Sequence, residues 1–387
     1  MTRSTSLPSL RGLALFAASC SVLIALASCS NDDANSGETR SGDTSVTSEV
    51  GSEVGSDTDR GPTGEDSTVV RVLVHDSVAI DSDVLQSFEE EHAVSIELIP
   101  AGDAGAMVNQ AVLTKGEPIA DVIYGLDNTF LPVAIANDVL TPWTGTIDGV
   151  DSIEPDLTAG IADVPVIPVD FGDVCINADV EAMQAAGLDM PETLADLASP
   201  TYAPLLVIED PRQSSPGLSF LLASFAELGE GSWETYWTDL ANNGVLVAGS
   251  WETAYFDEFS GGGDGDRPLV VSYSTSPAAD AVYAEEPVDH VGTINLDRTC
   301  VRQVEYAGIL KGTDIPEEAG EVLSFFLSTP FQERIATDMF MYPARGDVAL
   351  PAEFERFAPP PADPLPMPSV SPDQRDELLR TWADLMG

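Results

Sequence analysis

Val69-Val70-Arg71-Val72-Leu73-Val74-His75-Asp76-Ser77 opens the folded part of the chain. The β-branched run predicts a strand that stops at the polar cluster His75-Asp76-Ser77. Working outward, residues 83–92 carry Val84, Leu85 and Phe88 at helical spacing, and residues 94–99 alternate as a second strand. Residues 106–113 read as a helix, 120–124 as a buried strand and 129–137 as a helix. Strands alternating with helices predict an α/β body with a largely parallel sheet. Ligands of such sheets bind beyond the carboxyl ends of the strands. That singles out His75-Asp76-Ser77 and Gly125-Leu126-Asp127-Asn128, which follow strands directly.

A second α/β stretch runs over residues 175–289, with strands at 205–209, 245–248 and 269–272 and helices at 218–228 and 233–241. Residues 324–328 and 330–337 read as helical. A proline-rich passage, 359–368, leads to a last helix that starts at Ser371-Pro372, a cap followed by proline in the first turn. The run Ser-Gly-Gly-Gly-Asp-Gly-Asp at 260–266 is expected to be a surface loop, since it lacks the twelve-position calcium pattern.

Upstream, Arg3 and Arg11 precede an apolar run over 13–27. It is too short for a membrane span, which takes about 20 residues, and suits a signal-peptide core. Leu26-Ala27-Ser28-Cys29 resembles a bacterial lipobox, so residues 1–28 are expected to be removed and Cys29 lipidated. Ordinary secretion with an incidental cysteine, or an uncleaved anchor, is the alternative. Residues 29–68, rich in Ser, Asp, Gly, Thr and Glu, read as a tether. Cys175 and Cys300 then remain, and two cysteines in an oxidising compartment are expected to pair, although spacing alone does not prove it.

Across 387 residues, 16 Lys and Arg face 65 Asp and Glu, a formal net charge of −49. No basic stripe exists to neutralise nucleic-acid phosphates or to dock on anionic lipid. The 43% hydrophobic content excludes a wholly disordered chain.

Catalytic templates are missing: there is no G-x-S-x-G, no Walker loop, no H-E-x-x-H and no C-x-x-C. Only His75, His92 and His290 occur, and none are at metal-ligand spacing. The stretch Asp210-Pro211-Arg212-Gln213-Ser214-Ser215-Pro216-Gly217-Leu218 follows a strand and opens a helix, so its hydroxyls and free N–H groups suit an anion. Plain capping by Ser214 or Ser215 is the alternative. Trp251 and Tyr255 lie four apart, and Tyr273 follows a buried strand; each is suited to stack on a planar or cationic ligand, or to serve as core. Asp127 and Asp170 are candidate ligand carboxylates, or caps and ion-pair members.

Seven ordered blocks together resemble the thiamine-binding proteins of ABC importers. They are His75-Asp76-Ser77; Gly125 to Asn128; Val169-Asp170-Phe171-Gly172; Asp210 to Leu218; Trp251-Glu252-Thr253-Ala254-Tyr255; Ser272-Tyr273-Ser274-Thr275-Ser276-Pro277; and Met341-Tyr342-Pro343. The resemblance implies a two-lobed α/β fold of the second periplasmic-binding-protein type. It would have two mixed, mostly parallel sheets, joined by crossover segments, with a ligand cleft between them. Lobe 1 would comprise 69–170 plus 300–387, and lobe 2 171–299. It implies stacking by Trp251, with Tyr273 lining the same cleft. Asp103 and Gly105 would lie in an acidic loop near the ligand's phosphate end, and Ser214, Ser215 and Gly217 in the loop that receives a phosphate or hydroxyl. His75, Asp76, Ser77, Asp127, Asn128, Asp170, Tyr255, Ser274, Phe340 and Tyr342 complete the implied ligand set.

His75 stands where many relatives have tyrosine, Phe340 where relatives can carry tryptophan, Val78 for a frequent phenylalanine and Ala279 for a further stacking tyrosine. These departures leave thiamine, its phosphates or a related pyrimidine open. The implied partner is an ABC permease, with the membrane reached only through the lipid; the chain would be monomeric, without cofactor or catalytic residues. Iron and polyamine receptors share the fold, but iron receptors usually present adjacent tyrosines, absent here. A thiaminase-like enzyme would need Cys175 as a free thiolate.

Overall fold

A computed structural model describes residues 67–387, except 363, 366 and 369. The expected signal peptide, Cys29 and nearly all of the tether lie outside the described residues. The strands are β1 (Thr68–Val74), β2 (Val94–Pro100), β3 (Val122–Asp127), β4 (Leu140–Thr141), β5 (Ile167–Asp179), β6 (Leu206–Glu209), β7 (Leu246–Ala248), β8 (Leu269–Tyr273), β9 (Thr293–Asn295), β10 (Val301–Leu310) and β11 (Tyr342–Pro343). They form a mixed sheet in the order β2-β1-β3-β10-β5-β8-β6-β7, the short β4 pairing with β10 and β9 and β11 with β5.

Two parallel groups sit at its ends. On one side β1 runs parallel to β2 and β3; on the other β6 runs parallel to β7 and β8. Between them β5 and β10 lie antiparallel to each other and to the flanking strands. The α/β class expected from the sequence is observed, but the two expected sheets are one continuous sheet. β5 and β10 carry hydrogen bonding unbroken from one parallel group to the other.

Helices follow the parallel strands, and their starts are fixed locally. Asp81 accepts from the N–H groups of Asp83 and Val84 to begin Ser82–His92, and Asp103 accepts from Ala104 to begin Ala104–Leu113. Ser371 caps Pro372–Met386 as the cap-then-proline pattern predicts. Phe88 packs its ring 4.7 Å from Phe325 on Pro316–Phe326, a helix that starts eight residues before its expected 324.

The core gives no sign of polar avoidance along β5 and β10. Asp170, Asp173, Asn177, Gln303 and Glu305 are all buried. Cys175 of β5 and Cys300, which precedes β10, are joined by a disulfide, as expected. The 260–266 run is a turn-rich loop, and its glycines are packed rather than free. A Cβ on Gly263 would fall 1.8 Å from the Phe256 carbonyl oxygen.

Candidate functional site

The carboxyl ends of five parallel strands converge on one cavity. His75 and Ser77 follow β1, Asp103 and Ala104 follow β2, and Ser215 and Pro216 follow β6. Trp251 follows β7, while Tyr273, Thr275 and Ser276 end and follow β8. Glu305 enters from the middle of β10, and Met339, Phe340 and Met341 close one side. This is the position at which α/β sheets bind ligands.

Trp251 is held by its neighbours. Its indole N–H donates to Ser272 Oγ at 2.9 Å, and the Tyr255 ring stacks on it at 5.3 Å and 22°. Tyr255 thus supports the indole from a π-helical turn, Thr253–Glu258, and does not itself line the cavity. Tyr273 accepts from Gln303 Nε2 at 3.1 Å and approaches Trp251 edge-on.

The electrostatics centre on a row of acids. In the ladder, Glu305 of β10 is registered with Asp127 of β3 on one side and Asp170 of β5 on the other. Like charges in direct cross-strand register repel. Burial pushes the carboxyl of Asp170 well above the usual range, with the Glu305 charge adding to it, although the Tyr124 hydroxyl donates to Asp170 at 2.6 Å. Burial also raises Asp127, against the bonds it accepts from Ser215 and Thr129. Asp103 is raised by burial too, while it accepts from the backbone N–H groups of Ala104 and Trp251. His75 Nε2 lies 3.5 Å from Glu305 Oε2. Burial lowers the His75 pKa, but the charges of Glu305, Asp103 and Asp127 outweigh it and leave it raised. Among the described residues, the only cationic side chain lining this cavity is therefore a titratable one.

Of the residues singled out from sequence, His75, Ser77, Asp103, Ser215, Trp251, Tyr273 and Phe340 line the cavity together. The others stand behind or away from it. Asp76 accepts from Gly102 N and ties the end of β1 to the end of β2. Gly105 packs on the Gln213 backbone, and Gly217 sits against the carbonyl of Glu209, where a Cβ would lie 2.6 Å from oxygen. Asp127 receives the Ser215 hydroxyl, and Asp170 the Tyr124 hydroxyl. Ser214 occupies the N-cap position of Ser215–Leu228 without a side-chain capping bond. Ser274 bonds to the Tyr342 hydroxyl, which in turn donates to the Ala358 carbonyl. Asn128 is bound to the backbone of Arg302 and Val304 and lines a different cavity.

The family described as bacterial extracellular solute-binding protein matches residues 117–365. The chain belongs to this family. Among relatives of this solute-binding protein, the thiamine-binding periplasmic protein of Salmonella typhimurium is 30% identical over 318 residues, 81% of this chain and 92% of that one. The thiamine-binding periplasmic protein of Escherichia coli is 29% identical over the same shares. A solved periplasmic thiamin binding protein superposes with a TM-score of 0.71 at 27% identity, covering 84% of this chain and 99% of its own. Iron-bound HitA from Pseudomonas aeruginosa, at 17% identity and a TM-score of 0.64, shares the fold.

Sequence reasoning about this solute-binding protein missed Glu305, Pro216, Thr275, Ser276 and the methionines. Thr275 and Ser276 lay inside a block already marked by Tyr273. Glu305 carried no signal: in Val304-Glu305-Tyr306 an acid between two apolar residues reads as the solvent side of a strand. What puts that face inside is the cavity that the ends of the flanking strands and residues 339–341 build over it.

Proposed function

We propose that the chain captures thiamine in this cavity and delivers it to the permease of an ABC importer. The observation that carries the reading is that the Glu305 and Asp103 carboxyls line one cavity with the Trp251 indole. Thiamine joins a fixed thiazolium charge to a flat aminopyrimidine, and carboxylates with an aromatic face suit both parts. Relatives named for thiamine binding, at up to 30% identity, support the choice. His75, Ser77, Asp103, Ser215, Trp251, Tyr273, Glu305 and Phe340 are the proposed contacts. The unphosphorylated vitamin is the proposed form. The Ser215 hydroxyl is already given to Asp127, and Asp103 stands beside the same edge of the cavity, so a phosphate would meet carboxylates.

In this reading residues 69–170 with 300–387, and residues 171–299, act as two lobes that close by hinge motion. Residues 1–28 direct export, and a lipid on Cys29 holds the protein outside the membrane through the tether 29–68. The binding-only reading is supported by Cys175, whose sulfur is bonded to Cys300 and is not a free thiolate.

Trp251→Ala should weaken thiamine binding by about 1–3 kcal/mol, the scale of losing a stacking and cation–π anchor. Calorimetry on both proteins reads this directly, and unchanged affinity would remove Trp251 from the site.

Gly105 gives a test of closure. Its N–H donates to Gln213 O at 2.7 Å, across the proposed lobes, and an added Cβ would lie 2.8 Å from the Gln213 backbone. Gly105→Ala should cost about 1–3 kcal/mol of thiamine affinity through overpacking at that contact. Equal affinities by calorimetry would show that the approach at Gly105 is not part of binding.

A further inference from the structure

Strand β10 presents its neighbouring residues to two different spaces. Glu305 faces the first cavity, whereas Arg302, Val304 and Tyr306 line a second. The second differs in chemistry. Leu131, Leu157, Val164 and Leu222 make apolar walls, and Arg375 stands among them.

Arg375 is 8% exposed, in a chain with only 16 Lys and Arg. Its Nε is buried without a hydrogen-bond partner among the described residues. The ion-pair contact recorded for its guanidinium is with Asp376 Oδ1, at 3.6 Å, beyond hydrogen-bonding distance. The Phe130 ring holds the group from one side, 5.0 Å from its centre. Arg302 is different, being committed to Asp173 at 2.6 Å and to Asp156 at 3.3 Å. Arg375 also lies near the start of Pro372–Met386, where the helix dipole adds positive potential. Burial pulls the Arg375 pKa down, against the charges of Asp376 and Asp127. A nearly buried guanidinium whose Nε has no partner among the described residues is costly unless a partner arrives.

We propose that this second cavity binds an amphipathic monocarboxylate, its carboxylate taken by the Arg375 fork and its apolar body by Leu131, Leu157, Val164 and Leu222. A guanidinium pairs with a carboxylate through two parallel N–H···O bonds. Apolar walls with a few placed polar groups are the usual make-up of a small-molecule site, and Arg302, Asn128, Thr129 and Asp156 also line this one. The site is opposite in polarity to the thiamine cavity and does not depend on the thiamine reading.

The test uses the full mature chain with octanoate, octan-1-ol and octylammonium, read by calorimetry and by thermal midpoint. Octanoate should bind and raise the midpoint, octylammonium should do neither, and octan-1-ol should bind at least tenfold more weakly than octanoate. Arg375→Met should weaken octanoate at least tenfold and leave thiamine affinity unchanged. Absent octanoate binding, equal binding by wild type and R375M, or octylammonium or octan-1-ol matching octanoate would each overturn the proposal. Should R375M not fold, the comparison of the three probes on the wild-type chain decides alone.

Discussion

A Cys175→Ala, Cys300→Ala double variant should lose about 3–5 kcal/mol of unfolding free energy. The cysteines are separated by 125 residues. In the chain-entropy account, a closed loop of that length removes more freedom from the unfolded chain than a short one, about 4.7 kcal/mol for 100 residues. Position adds to this. Cys175 is inside β5, and Cys300 immediately precedes Val301, which is registered with Val174 at the end of the β5–β10 ladder. The bond therefore fastens the two central strands that every other part of the sheet hangs from. Both sulfurs are buried, so alanine is the better replacement; serine would add an unsatisfied hydroxyl. Urea unfolding of wild type and variant, followed by fluorescence, measures the difference. A loss under about 1 kcal/mol would mean that the unfolded chain is already restrained or that the strands hold without the bond.

Much of the frame was legible because local signals agreed with the final packing. Val69 to Val74 is β-branched and lies in a buried parallel pairing, and Ser371-Pro372 caps the helix it announces. Trp251 and Tyr255 stack as their spacing suggests, although a π-helical turn carries them. The central strands were illegible for a physical reason. Ile167-Pro168-Val169-Asp170-Phe171-Gly172-Asp173 contains a proline, a glycine and two acids, all of which are disfavoured in strands. Strands covered on both faces lose the alternation that marks half-buried ones. The same illegibility hid half the site's chemistry. Asp127 was expected just after a strand and is the last residue of β3. Its registration with Glu305 is a property of β3–β10 pairing, 178 residues apart in sequence, which no local pattern reports.

Glu305→Gln should cost about 2–5 kcal/mol of thiamine affinity, the scale of truncating one partner of a buried charged pair. Gln keeps the volume and can still accept from Gln303 Nε2, which lies 3.4 Å from Glu305 Oε1, so charge is what the variant removes. The pH dependence separates this role from a packing role. Glu305, Asp103 and Asp127 together hold the His75 pKa above its ordinary value of 6.5, so protonated His75 occupies the carboxylate that a cationic ligand would use. Thiamine binding then has to displace that proton. Affinity in the wild-type protein should rise with pH from 6.5 up through the raised His75 value, and binding should release a proton. In E305Q the largest raising influence on His75 is gone, so its pKa falls. The affinity–pH curve should then flatten over that window. Calorimetry in two buffers of different ionisation enthalpy reads the released proton directly. A wild-type affinity flat over the window, with no proton release, would show that His75 and Glu305 do not share the ligand's charge. A variant that loses affinity but keeps the wild-type slope would place Glu305 in the packing of the site instead.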